Sequence, residues 1–136
     1  MADSFLALDP ERTYVTLSAD GVAALHRGCD EFWAQSPEAL ASHGTKWLVS
    51  EYSFDSDWST WEMHPNADEF VYLLSGEAEL LLEIDCGIER VRLSNRAAAI
   101  VPKGVWHTAE VRKPSRMLHV TMGGGTMNRR TVSRAK

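Results

Sequence analysis

From Trp47 to Met122 apolar and polar residues alternate, and turn-forming residues break the alternation at short intervals. A period of two sends successive side chains to opposite faces of an extended strand, so this stretch is not helical. It predicts eight strands, at 47–54, 59–64, 69–74, 77–85, 88–93, 97–101, 105–111 and 117–122. Ser75-Gly76 and Cys86-Gly87 are the expected hairpin turns, because glycine supplies the positive φ that such turns need. In 77–85, Ala78, Leu80, Leu82 and Ile84 share one face. Many short strands joined by tight turns fold as an antiparallel sandwich or barrel. The expected fold class is all-β.

Ahead of this region, 14–17 reads as a short edge strand. Val22, Leu25, Cys29, Phe32 and Trp33 then fall at helical spacing. A short N-terminal helix is expected there, capped by Ser18 or Asp20 and finished before Pro37, with no periodicity over 36–45. The chain reads as one domain: an N-terminal extension with one helix (1–46), a barrel (47–122) and a flexible basic tail (123–136) holding Arg129, Arg130, Arg134 and Lys136.

With 136 residues, 44% of them hydrophobic and 24% charged, the chain has the composition and length to bury a core without staples. A net charge of −5 and a pI near 5.5 argue against a nucleic-acid partner. No apolar run approaches the ~18 residues of a membrane span. The first residues carry neither the basic nor the apolar region of a signal peptide. A cytoplasmic protein with no membrane partner is expected, its two cysteines, Cys29 and Cys86, remaining reduced.

The chemistry concentrates between Trp58 and Val111. Glu62 and His64 are two apart on a strand and leave the same face. Glu69 follows beyond the turn residues Pro65-Asn66-Ala67, and His107 follows Pro102-Lys103-Gly104. Two carboxylates and two imidazoles from three strands could converge in one barrel mouth. Such a mixed nitrogen and oxygen set suits Fe(II), Mn(II), Zn(II) or Ni(II).

At these residues the sequence resembles the cupin superfamily. Its first motif, G-x5-H-x-H-x3-4-E-x6-G, has the spacing of Glu62, His64, Glu69 and Gly76; its second, G-x5-P-x-G-x2-H-x3-N, matches Pro102, Gly104 and His107. Ser56, Arg96 and Val111 depart from the motifs at turn and packing positions, and Glu62 stands where the first histidine would be. The resemblance implies a cupin-like jelly-roll barrel with Glu62, His64, Glu69 and His107 as metal ligands. If Glu62 coordinates, its second negative charge favours Mn(II) or Fe(II). If it turns away, His64, Glu69 and His107 remain as the two-histidine, one-carboxylate set of non-haem iron oxygenases, and Glu62 becomes a candidate catalytic base.

By strand parity, Trp58, Thr60, Val71, Val105 and Ala109 face the same interior and are the expected lining of a mostly apolar substrate pocket. His26, His43 and His119 match no usable spacing and are expected as packing or surface residues. No basic cluster shares the inward parity, so the expected ligand is a small molecule, neutral or singly charged. Phe70, Tyr72 and Leu74 make a second apolar face on the strand of Val71 and Leu73; a homodimer would cover it. Two functions are open: a metal-dependent enzyme of oxygenase, isomerase or lyase type, and a non-catalytic module that binds or senses a small molecule. No helix-turn-helix segment accompanies the barrel.

Overall fold

The alternation from Trp47 onward is realised as strand in the computed structural model of the chain, which describes residues 7–131. In chain order the elements are β1 (Thr13–Leu17), β2 (Ala23–Arg27), α1 (Cys29–Trp33), α2 (Pro37–His43), β3 (Trp47–Phe54), β4 (Thr60–Met63), β5 (Glu69–Ile84), β6 (Gly87–Leu93), β7 (Ala98–Val101), β8 (His107–Thr121) and β9 (Met127–Arg130). Every strand pairing is antiparallel. The two long strands, β5 and β8, pair along most of their length and belong to two sheets at once. One sheet runs β2-β1-β3-β8-β5-β7 and the other β9-β4-β8-β5-β6. This is an all-β, jelly-roll barrel with short helices near its N-terminal end.

Between the sheets lie Val71, Leu73, Ala78, Leu80, Leu82, Leu93, Val101, Ala109 and Met117, all buried. Burying each of the larger side chains stabilises the fold by about 1.5–3 kcal/mol. A second cluster of Tyr14, Phe32 and Leu48 seats the N-terminal layer on the first sheet, with the Tyr14 and Phe32 rings edge to face at 5.2 Å.

Several expectations are corrected. Ser75-Gly76 is not a hairpin turn; β5 runs through it with an irregular register, and the strand bends from one sheet into the other. Gly76 has φ +91°, and a Cβ there would lie 2.2 Å from the Pro114 carbonyl oxygen. Only glycine lets β5 pass β8 so closely. Strands 105–111 and 117–122 are likewise one strand, β8. The turn after β5 does form, but Asp85 and Cys86 take the positive φ values, and Gly87 already belongs to β6.

The apolar spacing at Val22–Trp33 is mostly not helix. Gly21 has φ +88°, and Val22 N–H donates to Asp20 Oδ1, so the Ser18–Asp20 region closes a β1–β2 hairpin instead of capping a helix. Helix appears only at α1, where Phe32 is the one buried residue, and at α2. Pro37 starts α2, with Ser36 Oγ accepting from Ala39 N–H at 3.2 Å. At the other end, residues 127–130 of the expected flexible tail form β9 beside β4. The Arg129 guanidinium lies 4.5 Å from the Trp106 ring centroid and 5.3 Å from that of Trp61, and it pairs with Glu83. Arg134 and Lys136 lie outside the described residues. Among the described residues, no helix is long and apolar enough to cross a membrane.

Candidate metal centre

The pairing of β4 with β8 places Glu62 directly opposite His107. His64 follows at the end of β4, where its carbonyl accepts from Gly104 N–H at 2.8 Å. Pro102 and Gly104 thus form the turn that presents His107. Glu69 opens β5 on the inner face, 3% exposed, while His64 is 6% and His107 0% exposed. Three of the four expected ligands, Glu62, His64 and His107, form one cluster, and Glu69 adjoins it on the side of the two imidazoles. Ligand atoms of Glu62, His64 and His107 lie within 4.8 Å of one another. Glu69 Oε1 stands 3.2 Å from His107 Nε2 and 3.5 Å from His64 Nε2. Glu62 Oε1 lies 3.7 Å from His64 Nε2, on a side chain that is one-third exposed.

The hydrogen-bond partners fix which nitrogen of each imidazole faces the centre. His107 Nδ1 meets the Val105 carbonyl at 3.1 Å; a carbonyl only accepts, so Nδ1 carries the hydrogen. His64 Nδ1 lies 2.7 Å from Thr126 Oγ1, which gives its own hydrogen to the Gly123 carbonyl. Thr126 therefore accepts from Nδ1–H. Both rings turn an Nε2 lone pair inward when neutral. Glu69 Oε2 accepts from Thr121 Oγ1 and from His119 Nδ1, the latter at 3.2 Å. His64 Nε2, His107 Nε2 and Glu69 Oε1 are buried with no hydrogen-bond partner. Three inward acceptor atoms left unmatched in a dry place cost several kcal/mol together unless a cation sits among them. The donor set fits a divalent metal.

Protons partly fill that role in the metal-free chain. Burial alone would raise the Glu69 pKa, but the imidazoles of His107, His119 and His64 outweigh it and hold the carboxyl well below its ordinary range. Burial alone would depress His107; the Glu69 carboxylate beside it wins and raises its pKa. A metal bound here would compete with protonation of His107.

The centre opens into a cavity of about 710 Å³. Trp58 and Thr60 line it as expected. Val71, Val105 and Ala109 do not: Val71 and Ala109 are buried in the core cluster, and Val105 packs against it. The walls come instead from Trp33, Leu48, Ser50, Tyr52, Phe54 and His119. The N-terminal layer therefore builds part of the site, and the lining is more polar than expected. Burial pushes the Tyr52 phenol pKa up, so it stays protonated. His26 and His43 are packing residues, their rings 4.5 Å apart beside Phe32. His119 is different: it reaches the site. Its signal was parity, since 107, 109, 117 and 119 lie on one face once β8 is a single strand.

A family model described as "Cupin domain" matches residues 54–121, half of the chain. No curated protein matches the sequence significantly. Among solved structures, a cupin-2 domain protein from Shewanella frigidimarina is 15% identical, with a TM-score of 0.47, over 54% of this chain and 68% of its own. An oxalate oxidase in complex with the substrate analogue glycolate is 14% identical, with a TM-score of 0.51, over 60% of this chain and 45% of its own. A Bacillus subtilis oxalate decarboxylase described by its Mn(II) centres is 17% identical, with a TM-score of 0.50, over 62% of this chain and 23% of its own. The chain thus spans less than half of either oxalate enzyme. The family model, which matches half of the chain, shows that the chain belongs to the cupin superfamily.

Proposed function

We propose that this cupin is a metal-dependent enzyme for a small organic substrate, with a divalent cation held by His64, Glu69, His107 and Glu62. The observation that carries the reading is the convergence of three buried, unpartnered atoms, His64 Nε2, His107 Nε2 and Glu69 Oε1. Two carboxylates in the set favour Mn(II) or Fe(II) over Zn(II) and Ni(II). The Mn(II) centres of the Bacillus subtilis oxalate decarboxylase support that preference.

The metal would act as a Lewis acid on a coordinated oxygen, in oxygenase, isomerase or lyase chemistry. The chain supplies the rest. Thr126 and the Val105 carbonyl hold the two imidazoles in one tautomer. Thr121 and His119 hold Glu69 so that Oε1 faces inward. If Glu62 turns away from the metal, its one-third-exposed carboxylate at the cavity is placed to accept a substrate proton. Trp58 and Thr60 line the space where the substrate would lie.

Elemental analysis of protein purified without chelator tests the reading, with the His64→Ala/His107→Ala double variant as control. Near-stoichiometric manganese or iron, lost in the variant, supports it. Protein that stays metal-free after reconstitution refutes it and leaves a binding or sensing module.

We read the protein as a cytoplasmic homodimer. Leu25, Val15, Val49, Val120, Phe70 and Ile100 are successive cross-strand partners, making one apolar row across the outer face of the first sheet. Leu25, Phe70 and Ile100 are 54%, 38% and 56% exposed. A second copy would cover this row. Sedimentation of wild type and Phe70→Glu/Ile100→Glu tests it: a wild-type monomer overturns the dimer. Free, exposed Cys29 and Cys86 support a reducing compartment.

A further inference from the structure

The charge of the cavity is one-sided. Its charged lining residues, among those described, are Asp55, Asp57, Glu62 and Glu69, with no lysine or arginine. A divalent metal would balance Glu62 and Glu69, leaving the two aspartates at the mouth uncompensated. Asp57 is exposed at the cavity edge, one of its oxygens accepting from the Val111 N–H at 2.7 Å and the other left free of side-chain partners among the described residues. A substrate anion would approach against both charges.

The deeper wall is aromatic. Phe54 lies 5.3 Å from Trp58 and 6.1 Å from Tyr52, ring centroid to centroid, and all three border the cavity. Set among them is His119, whose ring centroid is 5.3 Å from that of Tyr52 and 5.8 Å from that of Trp58. His119 is 6% exposed, and its Nδ1–H is committed to the Glu69 carboxylate. Its Nε2 lone pair is buried without a partner. The cavity therefore offers carboxylates, an unmatched imidazole acceptor and aromatic faces. The carboxylates and the imidazole acceptor suit a ligand that donates N–H, and the aromatic faces suit an apolar body carried with it.

We propose that this site takes a small amine bearing an apolar or aromatic body, its ammonium directed by Asp55 and Asp57 and its body against Tyr52, Phe54 and Trp58. The inference rests on the reading of this cavity as the substrate site, but not on the metal. It departs from the oxalate enzymes that share the fold, because a dicarboxylate is the charge type this cavity repels.

Calorimetric titration with benzylamine, benzyl alcohol and benzoate tests the proposal, in chelator-treated and in Mn(II)-reconstituted full-length protein. These probes share one ring and differ in charge. Benzylamine is expected to bind about tenfold tighter than benzyl alcohol, with benzoate weaker still in the chelated protein. In Asp55→Asn/Asp57→Asn the preference for the amine over the alcohol should fall to near one. Thermal unfolding shows whether that variant is folded, and Asp55→Asn alone, at an exposed position, should lose part of the preference. Benzoate binding as tightly as benzylamine without metal, an unchanged preference in the double variant, or no benzylamine binding at millimolar concentration each overturn the proposal. An amine preference in protein that takes up no metal would sink the metalloenzyme reading and leave this one standing.

Discussion

Thr126→Val is the sharpest test of how the centre is built, because it changes one oxygen for one methyl at a residue that is not itself a ligand. In the wild type Thr126 Oγ1 passes its hydrogen to Gly123 and accepts from His64 Nδ1 at 2.7 Å. Valine leaves both groups without that partner, and His64 is 6% exposed, so water replaces it poorly. The fold should lose about 1–3 kcal/mol. More specifically, the His64 ring is freed to swing or to carry its hydrogen on Nε2, where it blocks coordination. Outer partners of this kind are worth roughly 10–100-fold in metal affinity, or about 1.4–2.7 kcal/mol. The assay is Mn(II) or Zn(II) competition against a chromophoric chelator, with thermal unfolding in parallel. Thr108→Val is the control: it removes a buried hydroxyl that donates to the Thr60 carbonyl at 2.8 Å and touches none of the imidazoles. It should lower stability by a similar amount and leave metal affinity near wild type. The reasoning is refuted if Thr126→Val binds metal as tightly as wild type, or if Thr108→Val weakens it equally.

In the metal-free protein the pH dependence has two limbs. The depressed Glu69 pKa stabilises the fold above about pH 4.5, and this is lost as pH falls through the folded value; the raised His107 pKa stabilises it below about pH 6.5, and this is lost as pH rises through the folded value. Melting temperature should therefore peak between these limits, and saturating metal should abolish the decline on the alkaline side; an unchanged decline would argue against His107 as a ligand. Arg129→Ala removes the guanidinium from Trp61 and Trp106 and should cost about 1–2 kcal/mol in chemical denaturation, the Glu83 pair adding little at the surface. Amide exchange of β9 should quicken most. Gly76→Ala meets both a positive φ and the Pro114 carbonyl, so an unfolding loss of at least ~2 kcal/mol is expected, and a neutral result would mean that the β5–β8 crossing is looser than described.

The barrel was legible because its strands obey a period of two, and the candidate ligands because their spacing resembles that of the two cupin motifs. What stayed hidden was long range. Nothing local marks Gly76 as a bend within a strand, since the same Ser-Gly pair serves a hairpin; the Pro114 carbonyl that demands it is 38 residues away. Reading 105–111 and 117–122 separately then concealed that His119 continues the face of His107. Val71 and Ala109 had the right parity for the interior, but parity cannot tell the cavity end of a curved sheet from its packed end. At Val22–Trp33 the helical spacing was overruled by Gly21 and by pairing with β1. Arg129 read as part of a solvated basic tail until two tryptophans, far off in sequence, closed around it.

One consequence of the curl of β8 concerns the chain as a mechanical object. His107 and His119 are twelve positions apart, a span of about 40 Å in a straight strand. Yet each comes within 3.2 Å of the same carboxylate, Glu69. The strand wraps around the barrel until its two ends meet across one side chain. Glu69 is thus a clasp on a hoop of backbone, and a cation bound there would tighten it. Peeling β8 away from β5 would have to open this clasp as well as the hydrogen-bonded ladder, and a bound metal should raise the force at which it gives.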